Sequence, residues 1–132
     1  MILGMKTRAI LASVAIAAAS VTAAYAQDKI TVPSATHIAA ADVPADAIVV
    51  NIDKLKYETP ELTIKAGDTV YWVNKEVMPH NVAFKAGVVG EAANAGPMMS
   101  KDQAYSITFN EAGTFDYFCT PHPFMRGKVI VE

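Results

Sequence analysis

Residues 114–131 read Thr-Phe-Asp-Tyr-Phe-Cys-Thr-Pro-His-Pro-Phe-Met-Arg-Gly-Lys-Val-Ile-Val. A run rich in aromatic residues ends at Cys119, a short loop punctuated by Pro121 and Pro123 follows, and a second β-forming run begins at Lys128. This pattern predicts a strand over 114–118, a tight loop, and a strand over 128–131. The same grammar holds upstream. From Ile30 onward the apolar residues come in short runs of Val, Ile, Tyr, Phe and Thr, separated by Gly, Pro, Asn and Asp, with no sustained helical period. The expected fold class is therefore all-β, an antiparallel sandwich or barrel. Further strands are expected over 47–52, 61–64, 69–74, 81–84 and 104–109, with a short one near Ile30. In the last of the long ones Tyr105, Ile107 and Phe109 alternate with Ser106 and Thr108, as in a strand with one buried face.

Turn chemistry fills the gaps. Lys65-Ala66-Gly67-Asp68 and Asn110-Glu111-Ala112-Gly113 both read as hairpin connections. Residues 35–47 are irregular and are expected to wrap across the sandwich. Residues 85–101 carry three glycines, Pro97 and the Met98-Met99 pair, and have room for at most one helical turn around 91–94.

The chain has 132 residues with 11 basic against 13 acidic, which is room for one ordinary domain. With no Lys/Arg run it lacks the basic surface that nucleic acid requires. Its single Cys cannot close an internal disulfide. Residues 1–26 have the form of a cleaved signal peptide: Lys6 and Arg8, an Ala-rich apolar run, and Ala24-Tyr25-Ala26 as an A-x-A cleavage site. The leader holds two basic residues and no acidic one, so the domain over 27–132 would carry a net charge of −4. No later stretch is long enough for a membrane span. The expected product is exported, free of the membrane after processing, and periplasmic.

Three sulfur and nitrogen donors stand at equal spacing: Cys119 at a strand end, His122 three residues on, Met125 three further. They can meet at one point only if the loop folds tightly around it, and a metal ion is the natural centre. A thiolate and a thioether together favour copper over Mg or Ca, which want oxygen, and a thioether is rare around zinc. A trigonal His-His-Cys copper site with a weak axial Met needs a second imidazole, and His80 in Met78-Pro79-His80-Asn81-Val82 supplies it from the start of another strand. Taken singly, Cys119 would be inert packing, Met125 core filler and His80 a satisfied core histidine. The joint spacing favours the metal, because an exported protein leaves a free thiol open to oxidation unless something occupies it. His37, among alanines and without a sulfur neighbour, reads as a surface histidine.

These motifs, together with Glu111-Ala112-Gly113-Thr114-Phe115, resemble the type I blue copper proteins, the cupredoxins. The short Cys-x-x-His-x-x-Met loop is similar to one branch of that family in particular, whereas plastocyanins and pseudoazurins have a longer gap between His and Met. The resemblance implies a Greek-key β-sandwich of eight or nine strands and one type I copper held by His80, Cys119, His122 and Met125. It also implies periplasmic one-electron transfer, from methylamine dehydrogenase to a c-type cytochrome.

Rigidity is expected of such a site. Pro121 and Pro123 flank His122, and Pro79 precedes His80, so the backbone at both histidines is restricted. Asn81 is placed to tie the two ligand loops together. Met78, Pro79, Met98, Pro121, Pro123 and Phe124 are expected to ring His122 with exposed apolar groups, a surface suited to small transient redox contacts, with Arg126 at its rim. A monomeric carrier, not an enzyme, is the favoured reading. A catalytic copper protein needs a further metal with more histidines, and a Cys119-His122 nucleophile pair lacks an orienting third group. A pseudoazurin-like carrier serving another donor, or a copper chaperone with labile ligands, are the alternatives.

Overall fold

The computed structural model describes residues 29–132. The leader expected over 1–26 lies outside the described residues. Two sheets pack face to face. One holds β1 (Ile30–Thr31), β2 (Ile38–Ala39), β3 (Ile48–Asp53), β4 (Lys56–Tyr57), β6 (Thr69–Asn74) and β9 (Gln103–Phe109). The other holds β5 (Glu61–Ile64), β7 (Ala83–Phe84), β8 (Asn94–Ala95), β10 (Gly113–Phe118) and β11 (Arg126–Val131). The first is ordered β1-β9-β6-β3-β4, with β2 also on β9, and the second β5-β11-β10-β7-β8. Neighbours are antiparallel except β3 with β6 and β5 with β11. A parallel pair cannot be joined by a tight turn, so the chain leaves one sheet, runs through the other and returns. That is the crossing pattern of a Greek-key sandwich.

All eight expected strand segments are present, with 61–64 and 69–74 matching residue for residue. The expected 81–84 strand is confined to Ala83–Phe84. Three two-residue strands, Ile38–Ala39, Lys56–Tyr57 and Asn94–Ala95, bring the described total to eleven, more than the eight or nine expected. They are too short to carry an alternation pattern of their own.

Neither expected hairpin is one. Lys65-Ala66-Gly67-Asp68 joins β5 to β6, and Asn110 to Gly113 joins β9 to β10, and each pair lies in different sheets. Both turns are corners that carry the chain from one layer to the other. The first closes with Asp68 N–H on Lys65 O at 3.0 Å, and Gly67 takes φ +94°, a conformation glycine adopts without steric cost. No helical turn forms over 91–94; Asn94–Ala95 is a strand instead, and among the described residues the helical segment is a single 3-10 turn at Ala40–Asp42.

Tyr105, Ile107 and Phe109 face the core as their alternation predicts, although Ser106 is buried as well. The filling between the sheets is aromatic: Trp72, Tyr57, Tyr117, Phe84, Phe109 and Phe115 are all buried. Burying one such side chain contributes about 1.5–3 kcal/mol. Tyr117 meets Tyr57 and Trp72 edge-on, with ring centroids 4.7 and 5.3 Å away, the geometry preferred by the ring quadrupoles. Gly127 on β11 makes room for it, since a Cβ there would stand 2.4 Å from the Tyr117 ring. Among the described residues no helix is long and apolar enough to cross a membrane.

Candidate metal centre

At one end of the sandwich the loop after β10 folds as two successive turns. His122 N–H donates to Cys119 O at 3.2 Å and Met125 N–H to His122 O at 2.9 Å, while Cys119 N–H reaches Met125 O at 3.2 Å and closes the ring. Each turn closes between residues three apart, so the three-residue spacing of Cys119, His122 and Met125 puts one donor residue at each end of each turn. His80 arrives from the connection between β6 and β7. It is fixed in an isolated bridge to Met99, with His80 N–H on Met99 O at 3.2 Å and Met99 N–H on His80 O at 2.8 Å.

The donor atoms of His80, Cys119 and His122 all lie within 4.8 Å of one another. Cys119 Sγ is 3.6 Å from His80 Nδ1 and 3.7 Å from His122 Nδ1. Donors sharing one first-row ion at about 2.0–2.3 Å each stand roughly 3.3–3.8 Å apart, so the three are spaced to hold such an ion. Met125 is buried in the same loop. Burial pushes the Cys119 thiol up, opposed in part by the backbone N–H groups of Asn81 and His122. A thiolate in this place is favoured only with a positive charge beside it, and a bound metal supplies that charge.

The groups around the donors decide their orientation. Asn81 Oδ1 accepts from Thr120 N–H at 2.9 Å and from the Thr120 hydroxyl at 3.2 Å, and Asn81 Nδ2 donates to Gly96 O at 3.1 Å. The expected tie between the two ligand loops is therefore present. Tyr57 hydroxyl donates to Asn81 O at 2.6 Å. Burial, with Cys119 and Tyr117 nearby, holds that phenol far above its ordinary range, so it stays a neutral donor.

Two residues were not singled out from the sequence. Asn74, buried at the end of β6, donates through Nδ2 to Met78 O at 2.9 Å and to Met99 O at 2.8 Å, and its Oδ1 accepts from Glu76 N–H at 3.0 Å. It staples the loop that carries His80. The Glu76 carboxylate contacts His80 Nε2 and accepts from Leu55 N–H at 3.1 Å. Burial would raise this carboxyl, but the Leu55 N–H, the contact with His80 and the Lys54 N–H outweigh it and hold it below its ordinary value. With Nε2 engaged by a carboxylate, the imidazole presents Nδ1 to Cys119, the usual way an outer partner fixes a ligand tautomer. The only sequence signal was an acidic residue four positions ahead of the histidine, which is common on any surface.

His80 and Cys119 are fully buried, whereas His122 is partly exposed. Pro121, Pro123 and Phe124 beside it are exposed, as are Met78, Pro79 and Met98, which flank the His80–Met99 bridge, and the Phe124 ring lies 6.1 Å from the His122 imidazole in an edge-on arrangement. Arg126 is exposed beside them, and its Nε contacts Pro123 O at 3.4 Å. His37 is exposed and far in sequence from the cluster, as expected.

A Greek-key sandwich with a buried thiol and two imidazoles converging at one end defines a blue copper electron carrier, with copper as its cofactor. The model of the copper binding proteins of the plastocyanin/azurin family matches residues 44–132. Amicyanin of Paracoccus versutus is 70% identical over 132 residues, the whole of both chains, and amicyanin of Paracoccus denitrificans is 64% identical over the same span. The crystal structure of the Paracoccus versutus amicyanin is matched with a TM-score of 0.79 at 78% identity, covering 80% of this chain and 100% of that one. The chain thus belongs to the plastocyanin/azurin family of copper-binding proteins, on its amicyanin branch.

Proposed function

We propose that this protein is a periplasmic, monomeric carrier that takes single electrons from methylamine dehydrogenase and passes them to a c-type cytochrome, turning over no substrate itself. Residues 1–26 act as the export leader and 27–132 as the copper domain. His80, Cys119 and His122 would hold the metal, with the Met125 thioether of the same loop as a further, weaker donor. The observation that carries this reading is the convergence of the His80, Cys119 and His122 donor atoms in a loop whose flanking apolar residues, Pro121, Pro123 and Phe124, are exposed.

Copper, when bound, supplies a one-electron couple. The chain supplies the rest. Cu(I) and Cu(II) prefer different geometries, so donors that cannot move would favour fast exchange. Pro121 and Pro123 restrict the backbone of His122, and the Asn81 clamp and the Asn74 staple fix the two loops against each other. The partly exposed His122 edge brings the centre near the surface, and the uncharged ring of side chains lets a partner approach without stripping hydration from fixed charges. The deep burial of His80, Cys119 and Met125 also favours a carrier over a chaperone, which must release its ion. The short loop and the amicyanin likeness favour methylamine dehydrogenase as donor over the partners of pseudoazurin-like carriers.

Titrating purified metal-free protein with Cu(II) is expected to give an intense blue charge-transfer band that saturates at one equivalent, and the blue form should be reduced by methylamine-reduced dehydrogenase. A colourless protein that takes up one zinc would reject the reading. Removing the Glu76 carboxylate, as Glu76→Ala, is expected to weaken copper binding about 10–100-fold with the fold retained, measured by competition with a chelator. Unchanged affinity would make the His80 contact incidental.

A further inference from the structure

The four methionines near the centre fall into two classes. Met99 and Met125 are 0% and 2% exposed, whereas Met78 and Met98 are 45% and 40% exposed. The Asn74 side chain bonds the carbonyls of Met78 and Met99 at 2.9 and 2.8 Å, so the two segments that carry the exposed methionines, one ending at Met78 and the other at Met98-Met99, are held next to each other. Thioethers of this kind are chemically distinct from every other group there. Peroxide oxidises an exposed sulfur to a polar sulfoxide, while a buried sulfur is shielded.

We infer that Met78 and Met98 form a peroxide-sensitive modification site that switches off partner docking while sparing the copper centre. The inference rests on the proposed docking role of this face. In each event the sulfur lone pair attacks one oxygen of hydrogen peroxide, the O–O bond breaks, and that oxygen becomes the sulfoxide oxygen. The sulfur loses two electrons, the peroxide is reduced, and its other oxygen leaves as water with both protons. A sulfoxide reductase using a dithiol would restore the thioether, the dithiol becoming a disulfide and the oxygen leaving as water. A sulfoxide dipole forced into a dry contact without a partner costs enough to slow docking about tenfold.

The test uses the Cu(II)-loaded protein and a small excess of hydrogen peroxide, with peptide mapping by mass. A gain of about 16 Da is expected at Met78 and at Met98 before Met99 or Met125. The blue band should persist, and reduction by hexacyanoferrate(II) should keep its rate. Reduction by methylamine-reduced dehydrogenase should slow about tenfold. In a Met78→Leu/Met98→Leu double variant, peroxide should no longer change the rate with the dehydrogenase. Equal oxidation of Met99 or Met125, or full partner rate after both sulfoxides form, would overturn the inference. Phe124→Glu separates the two levels: if it slows the dehydrogenase while the sulfoxides do not, the docking role stands and the switch falls; if it too has no effect, both fall.

Discussion

Cys119→Ser is expected to abolish the blue band completely while the sandwich stays folded. The colour of such a centre comes from sulfur-to-copper charge transfer, and a hydroxyl is neither soft nor ionised near neutral pH, so it cannot take the thiolate's place. Cys119 lies fully buried just past the end of β10, and its side chain contributes little to the aromatic filling between the sheets. Serine is close in size and leaves the closing bond from residue 119 N–H to Met125 O in place. The stability loss should stay near that of one imperfectly satisfied buried hydroxyl, about 1–3 kcal/mol. Visible absorption of the copper-loaded variant beside its far-ultraviolet circular dichroism checks both halves. A retained blue band would mean that another sulfur is the donor.

Phe124→Glu is expected to slow reduction by methylamine dehydrogenase by about tenfold to a hundredfold, with no change in the visible spectrum. Phe124 is 67% exposed, so the substitution should cost little stability. Its ring stands beside the partly exposed His122, where a partner must come close. A carboxylate there would be driven into an apolar contact without a counter-charge, apart from Arg126 at the rim. Stopped-flow rates with the dehydrogenase and with a small inorganic reagent separate docking from damage to the centre. Equal slowing with both would place the effect at the metal.

What could be read from the chain differs by the range of the interaction involved. The strands 61–64 and 69–74 were legible because β-branched and aromatic runs bounded by turn residues are local signals. The ligand loop was legible for a related reason: a spacing of three residues between Cys119, His122 and Met125 is the span of one turn, so the loop's hydrogen bonds follow the motif. Turn chemistry at Lys65 to Asp68 and Asn110 to Gly113 told only that the chain reverses. Which layer the next strand joins depends on partners far away in sequence, and there the hairpin expectation failed.

The β3–β4 connection was invisible for another reason. Lys54 and Leu55 both take left-handed backbone, φ 52° and 59°, at a place where Asn-Gly would be the usual signal. Their strain, of order 1–2 kcal/mol per residue, is offset by Leu55 N–H reaching Glu76. The roles of Asn74 and Glu76 could not be read because each depends on carbonyls and rings brought near only by the folded sandwich.

The Asn81 side chain pins Thr120 and Gly96 to the segment beside His80 through bonds in which no metal donor takes part. Such a clamp should keep the cavity in shape before cargo arrives, unlike small zinc domains whose chains order only upon loading. Stripping copper should leave an intact vessel with lower melting temperature, and refilling it should require no refolding.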